Sequence, residues 1–284
     1  MRQWIRNSNI WMSRPFTQYK IIYGARRLLY GWLLLQLLIL LPDAPMYFGP
    51  DAIIPTFGWS QWDISIFLNL FQHPLVQTYY WLFLGCTFIV LILGLLGKWP
   101  RVTSILIFFF AANLINRMSF MTTGGEILLR LLLFYLMFAD EQPQIKPTVL
   151  DHVRNRMVLL AARWNIVLVY ILAGWYKLED PLWLNGSAVY WISQVETFSN
   201  DFTRGLLQSP WVYVPATYLA LLYQLAFPFL VWVKSIKIPF LIIGALFHLF
   251  IAFGIGVFSF GIIMILSYRF FIEDNDWKKL WEKS

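Results

Sequence analysis

Residues 157–177 read M-V-L-L-A-A-R-W-N-I-V-L-V-Y-I-L-A-G-W-Y-K. Apolar residues fill the run without the alternation of a half-buried strand. Its length matches the roughly 20 residues a helix needs to cross a hydrocarbon core. The stretch predicts a membrane helix that ends on one cation, Lys177.

Composition points the same way. The 284 residues are 59% hydrophobic and 13% charged, with a mean hydropathy of +0.61. Soluble domains carry about 25% charged residues. Aromatics reach 19%, which suits a chain with two membrane–water interfaces. A transmembrane barrel would show alternating segments of about ten residues, and these runs do not alternate. The expected fold is all-α, a polytopic integral membrane helical bundle of about eight spans, with a range of roughly six to nine. The runs are 21–41, 75–97, 102–116, 126–139, 157–177, 212–233, 238–255 and 258–272. The last two are divided only by Gly256 and Val257.

Charge placement sets an expected orientation. With the N-terminus inside, all but Arg117, Arg130, Lys177 and Arg204 of the 22 Lys and Arg residues fall on the inner side. Both termini are then cytoplasmic and Lys177 is at the outer face, in a multi-pass protein of the bacterial cytoplasmic membrane. The net charge of +7 reflects these flanking cations. No basic cluster is interleaved with a nucleic-acid motif, so membrane lipids rather than nucleic acid are the expected neighbours. The single cysteine, Cys86, excludes an internal disulfide, CxxC chemistry and a thiolate metal site. His73, His152 and His248 lie on separate segments without metal-ligand spacing, so no metal is expected.

The chain reads as one domain over 1–284. In residues 1–14, Met1, Trp4, Ile5, Trp11 and Met12 share a face opposite Arg2, Arg6 and Asn9, as in an interfacial amphipathic helix; a disordered basic tail is the alternative. Two outer loops are long, 42–74 and 178–211, and 273–284 is a charged cytoplasmic tail. Within the second loop Val189, Ile192, Val195 and Phe198 recur behind Ser187, predicting a short capped helix.

Charges and polar groups inside spans are costly and mark interiors or cavities. Glu126 and Arg130 are spaced for an ion pair along one helix, either structural or in contact with substrate. Asn113 and Asn116 are spaced as interhelical hydrogen-bonders. His248 shares a face with Gly244, Ala252 and Gly256, a small-residue stripe that permits close helix packing; it reads as a packing histidine or as a proton-exchanging group. Lys177, beside Trp175 and Tyr176, reads as a snorkelling anchor or, if buried, as a base. Glu179 or Asp180 nearby would oppose the second reading.

Four stretches together form a recognisable pattern: R-R-L-L-Y-G-W-L-L-L at 26–35 with Y-F-G-P-D-A-I-I-P at 47–55, N-R-M-S-F-M-T-T-G-G-E-I-L-L-R-L-L-L-F-Y-L-M-F at 116–138, V-Y-I-L-A-G-W-Y-K-L-E-D-P-L-W-L-N-G-S-A at 169–188, and F-H-L-F-I-A-F-G-I-G-V-F-S-F at 247–260. The chain resembles the HTTM family, the membrane domain shared with vitamin K-dependent gamma-glutamyl carboxylases. The resemblance implies that Lys177 matches the lysine that deprotonates vitamin K hydroquinone, and that His248 matches a functional histidine. A membrane quinol of vitamin K or menaquinol type becomes the expected co-substrate, for carboxylase- or epoxidase-like chemistry of the lyase or oxidoreductase class. Asn116, Arg117, Glu126, Arg130, Trp175 and Tyr176 become candidate substrate contacts. Met118 stands where the carboxylases have another histidine, and the likeness does not extend to their large extramembrane domain. Carboxylation of protein glutamate is therefore not expected. Family members similar to the sporulation-delaying protein B group imply an alternative role, an accessory factor that matures or binds a secreted peptide or extracytoplasmic protein.

Overall fold

The computed structural model describes residues 15–53, 68–273 and 276. The expected interfacial helix at 1–14, the loop segment 54–67 and most of the charged tail lie outside the described residues. All regular structure among the described residues is helical. In order, the α-helices are α1 (Tyr19–Leu40), α2 (Ala44–Phe48), α3 (Pro74–Thr78), α4 (Tyr80–Leu95), α5 (Pro100–Arg117), α6 (Gly124–Leu136), α7 (Val149–Leu178), α8 (Pro181–Leu184), α9 (Ala188–Gln194), α10 (Asp201–Leu206), α11 (Pro210–Leu230), α12 (Lys237–Phe253) and α13 (Phe258–Ser267).

Each apolar run expected from the sequence falls on one or more of these helices, yet only two are long and apolar enough to cross a membrane. These are α7, with 30 residues, and α11, with 21. At about 1.5 Å per residue, α7 rises roughly 45 Å and α11 roughly 32 Å, against a hydrocarbon core of about 30 Å. Helices α4, α12 and α13 are apolar but shorter. Helix α1 has 22 residues, interrupted by Arg26 and Arg27.

Local chemistry explains where two helices begin. Helix α7 starts eight residues before the apolar run because Thr148 and Asp151 cap it reciprocally. The Asp151 N–H donates to Thr148 Oγ1 at 3.2 Å and the Thr148 N–H to Asp151 Oδ2 at 2.9 Å. A capping box of the same logic opens α6: Thr123 accepts from the helix backbone and Glu126 reaches back to the Thr123 N–H.

The chain divides into two compact units, Met1–Leu159 and Leu160–Ser284, with the division inside α7. In the first unit α1 packs on α4 and α6, α4 on α5, and α5 on α6. Ile22, Ala25 and Leu29 of α1, with Leu128, Leu129 and Leu132 of α6, are buried. The core also takes in charge. Arg26 is completely buried, donating from Nη2 to the carbonyls of Leu136 at 2.6 Å and Ala139 at 2.8 Å. Its Nη1 lies 3.2 Å from Glu141 Oε1, and Arg27 meets Glu141 Oε2 at 3.1 Å while donating to the Gly94 carbonyl at 2.7 Å. Arg26 thereby satisfies carbonyls at and beyond the end of α6, where no intrahelical donor remains.

In the second unit α12 and α13 form a tight antiparallel pair, α11 packs on α12, and α9 packs on α10 and α11. Here too cations counted as flanking charges are structural. Lys237 meets Asp276 at 2.6 Å, and Arg163 donates from Nε to the Phe270 carbonyl at 2.8 Å. The short helix expected behind Ser187 is α9, but it ends at Gln194; Val195 precedes a separate 3₁₀ turn, Glu196–Phe198. Ser187 supplies no side-chain cap, because its hydroxyl donates to Asn185 Oδ1 at 2.6 Å.

Glu141 joins two arginines at a site closed to water, so Glu141→Gln leaves both guanidinium groups without their carboxylate. Removing one member of a buried ion pair costs about 3–5 kcal/mol. Scanning fluorimetry in detergent is expected to show a clear drop in the unfolding midpoint for Glu141→Gln. Arg101→Ala, which breaks an exposed pair with Asp140, is expected to shift it little, since such pairs are worth about 0–1 kcal/mol.

Candidate functional site

The second unit contains Lys177 and His248, and one helix face relates them. On α7, Tyr170, Gly174 and Lys177 follow at positions i, i+4 and i+7, which share a face. Tyr170 and Gly174 are buried. A Cβ on Gly174 would lie 2.8 Å from Leu225 Cδ2, so the missing side chain lets α11 approach α7 closely. Lys177 is half-buried at the end of this face. Its Nζ sits 3.4 Å from the Ala173 carbonyl of its own helix and 4.8 Å from the centre of the Trp183 ring. No carboxylate comes within ion-pair range of it among the described residues. Asp180 turns away to cap α8, accepting from the Leu182 N–H at 2.8 Å, and Glu179 is exposed. Trp175 and Tyr176 also lie off the buried face and are exposed, so neither shares the surroundings of Lys177.

His248 is 1% exposed in α12. Its Nε2 lies 2.7 Å from the Tyr170 hydroxyl, which lies 2.6 Å from the Tyr268 hydroxyl. The Tyr268 hydroxyl in turn lies 3.1 Å from that of Tyr223, and Tyr223 donates to the Phe240 carbonyl at 3.5 Å. One imidazole and three phenols from α7, α11, α12 and the turn after α13 thus form a continuous buried chain. Aromatic packing holds it: the Tyr170 ring stacks on Phe227 at 3.8 Å between centroids, and Tyr223 stacks on Phe240 at 4.7 Å.

The small-residue stripe proposed around His248 is shorter than its spacing implied. Gly244 and Ala252 are buried with it, but α12 ends at Phe253 and Gly256 turns the chain at a φ of +77°. Gly244 is the decisive member. A Cβ there would fall 1.8 Å from the Tyr223 hydroxyl oxygen and 2.5 Å from that of Tyr268. The sequence reading missed the three tyrosines. Each is a polar tip within or beside an apolar run, and a buried phenol requires a partner; that requirement was the available signal.

The remaining candidates lie in the first unit, where they anchor backbone. Asn116 accepts from Arg130 Nη1 at 2.7 Å and donates to the Leu68 carbonyl at 2.8 Å. Asn113 accepts from the Leu70 N–H at 2.8 Å, and Arg117 donates from Nε to the Tyr47 carbonyl at 2.9 Å. Glu126 belongs to the Thr123 capping box. The partner seen for Arg130 is Asn116 from α5, which the helical spacing of Glu126 and Arg130 did not foresee. These groups tie the backbone at Tyr47, Leu68 and Leu70 to α5, and through Arg130 to α6.

Gly244→Ala is expected to displace Tyr223 and Tyr268 and to destabilise the protein by about 1–3 kcal/mol, the usual cost of overpacking. Gly85→Ala, where an added Cβ meets nothing within 4 Å, is expected to be neutral or to stabilise by up to about 1 kcal/mol. Thermal unfolding of the two variants side by side checks the contrast.

No family model and no solved structure matches the chain. The chain is similar to the uncharacterized protein YitO of Bacillus subtilis (strain 168), 24% identical over 272 residues that cover 89% of this chain and 85% of the relative.

Proposed function

We propose that this is a multi-pass protein of the bacterial cytoplasmic membrane, HTTM-like, with both termini inside, and that Lys177 acts as a general base toward a membrane quinol. About eight spans would be made by the helices that coincide with the apolar runs, shorter ones being covered by protein neighbours. The observation that carries the functional reading is the setting of Lys177. It is half-buried, rests against an aromatic ring and, among the described residues, has no carboxylate beside it to lock the ammonium form. A lysine that served only as an anchor would extend its amine toward the headgroups; this one folds back onto its own helix.

The residues fit a flat, hydroxyl-bearing substrate. Trp183 offers a ring face beside the amine, and the apolar stem of Lys177 lines the approach. In the amine form Nζ accepts the proton of a substrate hydroxyl, and a quinol so deprotonated supplies reducing equivalents to oxygen. Proton transfer by a positioned base contributes about 10²–10⁴-fold. His248, joined to the Lys177 face through Tyr170, is the second functional group in this reading. Trp175 and Tyr176 take the place of interfacial anchors.

A second reading has its own observation. Trp191, Phe198, Phe202 and Trp211, spread over residues 191–211, are all exposed. They could seat a secreted peptide or an extracytoplasmic partner, making the chain an accessory maturation factor with no catalytic role.

Lys177→Arg separates the two. In proteoliposomes supplied with menaquinol, wild type is expected to consume oxygen, and Lys177→Arg to lose about 10²-fold or more of that rate with membrane insertion unchanged. Undiminished uptake in the arginine variant, or no quinol-dependent uptake by wild type, sinks the catalytic reading and leaves the accessory one.

A further inference from the structure

We propose that residues 188–206, made of α9, the turn Glu196–Phe198 and α10, form an interfacial segment in the outer leaflet of the bilayer, with lipid covering the exposed side chains of Trp191, Val195, Phe198, Phe202 and Leu206. This placement rests on the membrane location proposed above and not on any base role for Lys177.

The two faces of the segment are the reverse of what water would select. Ala188, Val189, Ser193 and Thr203 are buried, whereas the apolar side chains at 191, 195, 198, 202 and 206 are exposed, Phe202 to 78%. Their spacings of three and four residues follow the helical repeat. In water, bulky apolar groups pack inward and hydroxyls face out. In a bilayer, helices meet through small and hydroxyl-bearing residues, and bulky apolar side chains are left to lipid. The segment follows the second rule. Two acidic residues, Glu196 and Asp201, against one basic, Arg204, give it a net charge of −1, so apolar burial rather than attraction to anionic headgroups holds it.

Bonds within the second unit fix its level. Helix α11 is long and apolar enough to span a bilayer, and it starts at Pro210. The Val189 N–H donates to Thr217 Oγ1 at 3.2 Å, and the Tyr190 ring lies 5.2 Å from that of Tyr213. Thr217 is about 10 Å along α11 from Pro210, at about 1.5 Å per residue. Interfacial helices bury their apolar face about 5–10 Å into the headgroup boundary. Farther along, Asn200 Nδ2 donates to the Phe253 carbonyl at 3.3 Å, where α12 ends. Only residues 231–236 join α11 to α12, and the two pack together, so the end of α12 and the start of α11 lie on one side. Trp211, 90% exposed, stands at that same level. Where the segment breaks its helices, polar groups stay paired: Ser199 Oγ donates to the Ser193 carbonyl, and Asn200 Oδ1 accepts from the Thr203 N–H at 2.8 Å. A surface with little water requires that pairing.

The test is spin-label EPR on the full chain in phosphatidylcholine proteoliposomes. With Cys86→Ser as background, a nitroxide is attached to Trp191→Cys, Phe202→Cys, Asp201→Cys or Leu222→Cys, one at a time. Collisions with oxygen, which concentrates in lipid, are compared with collisions with a water-soluble nickel chelate. The oxygen-to-nickel ratio is expected to be several-fold higher at 191 and 202 than at 201, whose side chain is fully exposed. It is expected to be highest at 222, an exposed position farther along α11. Added phosphatidylglycerol is expected to leave the ratios unchanged; contact with lipid only when that anionic lipid is present overturns the apolar mechanism. A lipid reading at 222 with water readings at 191 and 202 overturns the interfacial segment and leaves the membrane location standing. A water reading at 222 overturns the membrane location, and the segment's placement with it. Shielding of 191 and 202 from both agents means that protein, a bound peptide or a second copy, covers the face, and overturns the lipid assignment.

Discussion

A polar group taken out of water must find a partner or cost several kcal/mol, and that constraint organises both units. With only 13% of its residues charged, the chain uses its buried charges as joints. Arg26 closes the open end of α6 while meeting Glu141. Asn116 ties Arg130 of α6 to the backbone at Leu68. In the second unit neutral groups do the equivalent work: the His248–tyrosine chain draws α7, α11, α12 and the turn after α13 to one point. Apolar burial is non-directional, so it cannot by itself select one register among such uniformly apolar helices. The polar joints can.

Much of the helical layout was legible in the sequence because unbroken apolar runs have few other solutions. The expected division between 238–255 and 258–272 corresponds to α12 and α13, with Gly256 at the turn. Boundaries were less legible where a cap lies outside the apolar run, as with Thr148 and Asp151 ahead of α7. Lys177 and His248 stood out as isolated polar residues in apolar surroundings. The partners of His248 did not, because Tyr170, Tyr223 and Tyr268 are far apart in the chain and no periodicity connects them. The role of Arg26 was hidden for a related reason. A cation at the end of an apolar run looks the same whether it will face headgroups or a buried carboxylate.

The functional reading draws on two different supports. The resemblance to the HTTM family directs attention to Lys177 and His248, and the geometry gives each of them a distinct environment. Lys177 is half-buried, with no carboxylate in ion-pair range among the described residues, whereas His248 is fully buried and bonded to the Tyr170 hydroxyl. Of the residues taken from the sequence as possible substrate contacts, Asn116 and Arg117 hold the backbone at Leu68 and Tyr47, Arg130 bonds to Asn116, and Glu126 caps α6.

Gly244 carries a consequence beyond packing. Because no side chain separates α12 from the hydroxyls of Tyr223 and Tyr268, the phenols lie directly against a helix backbone, and the last acceptor of their chain is the carbonyl of Phe240, one turn away on the same helix. The spacing of α12 from α11 and from the turn after α13 is therefore set by a side chain that is absent.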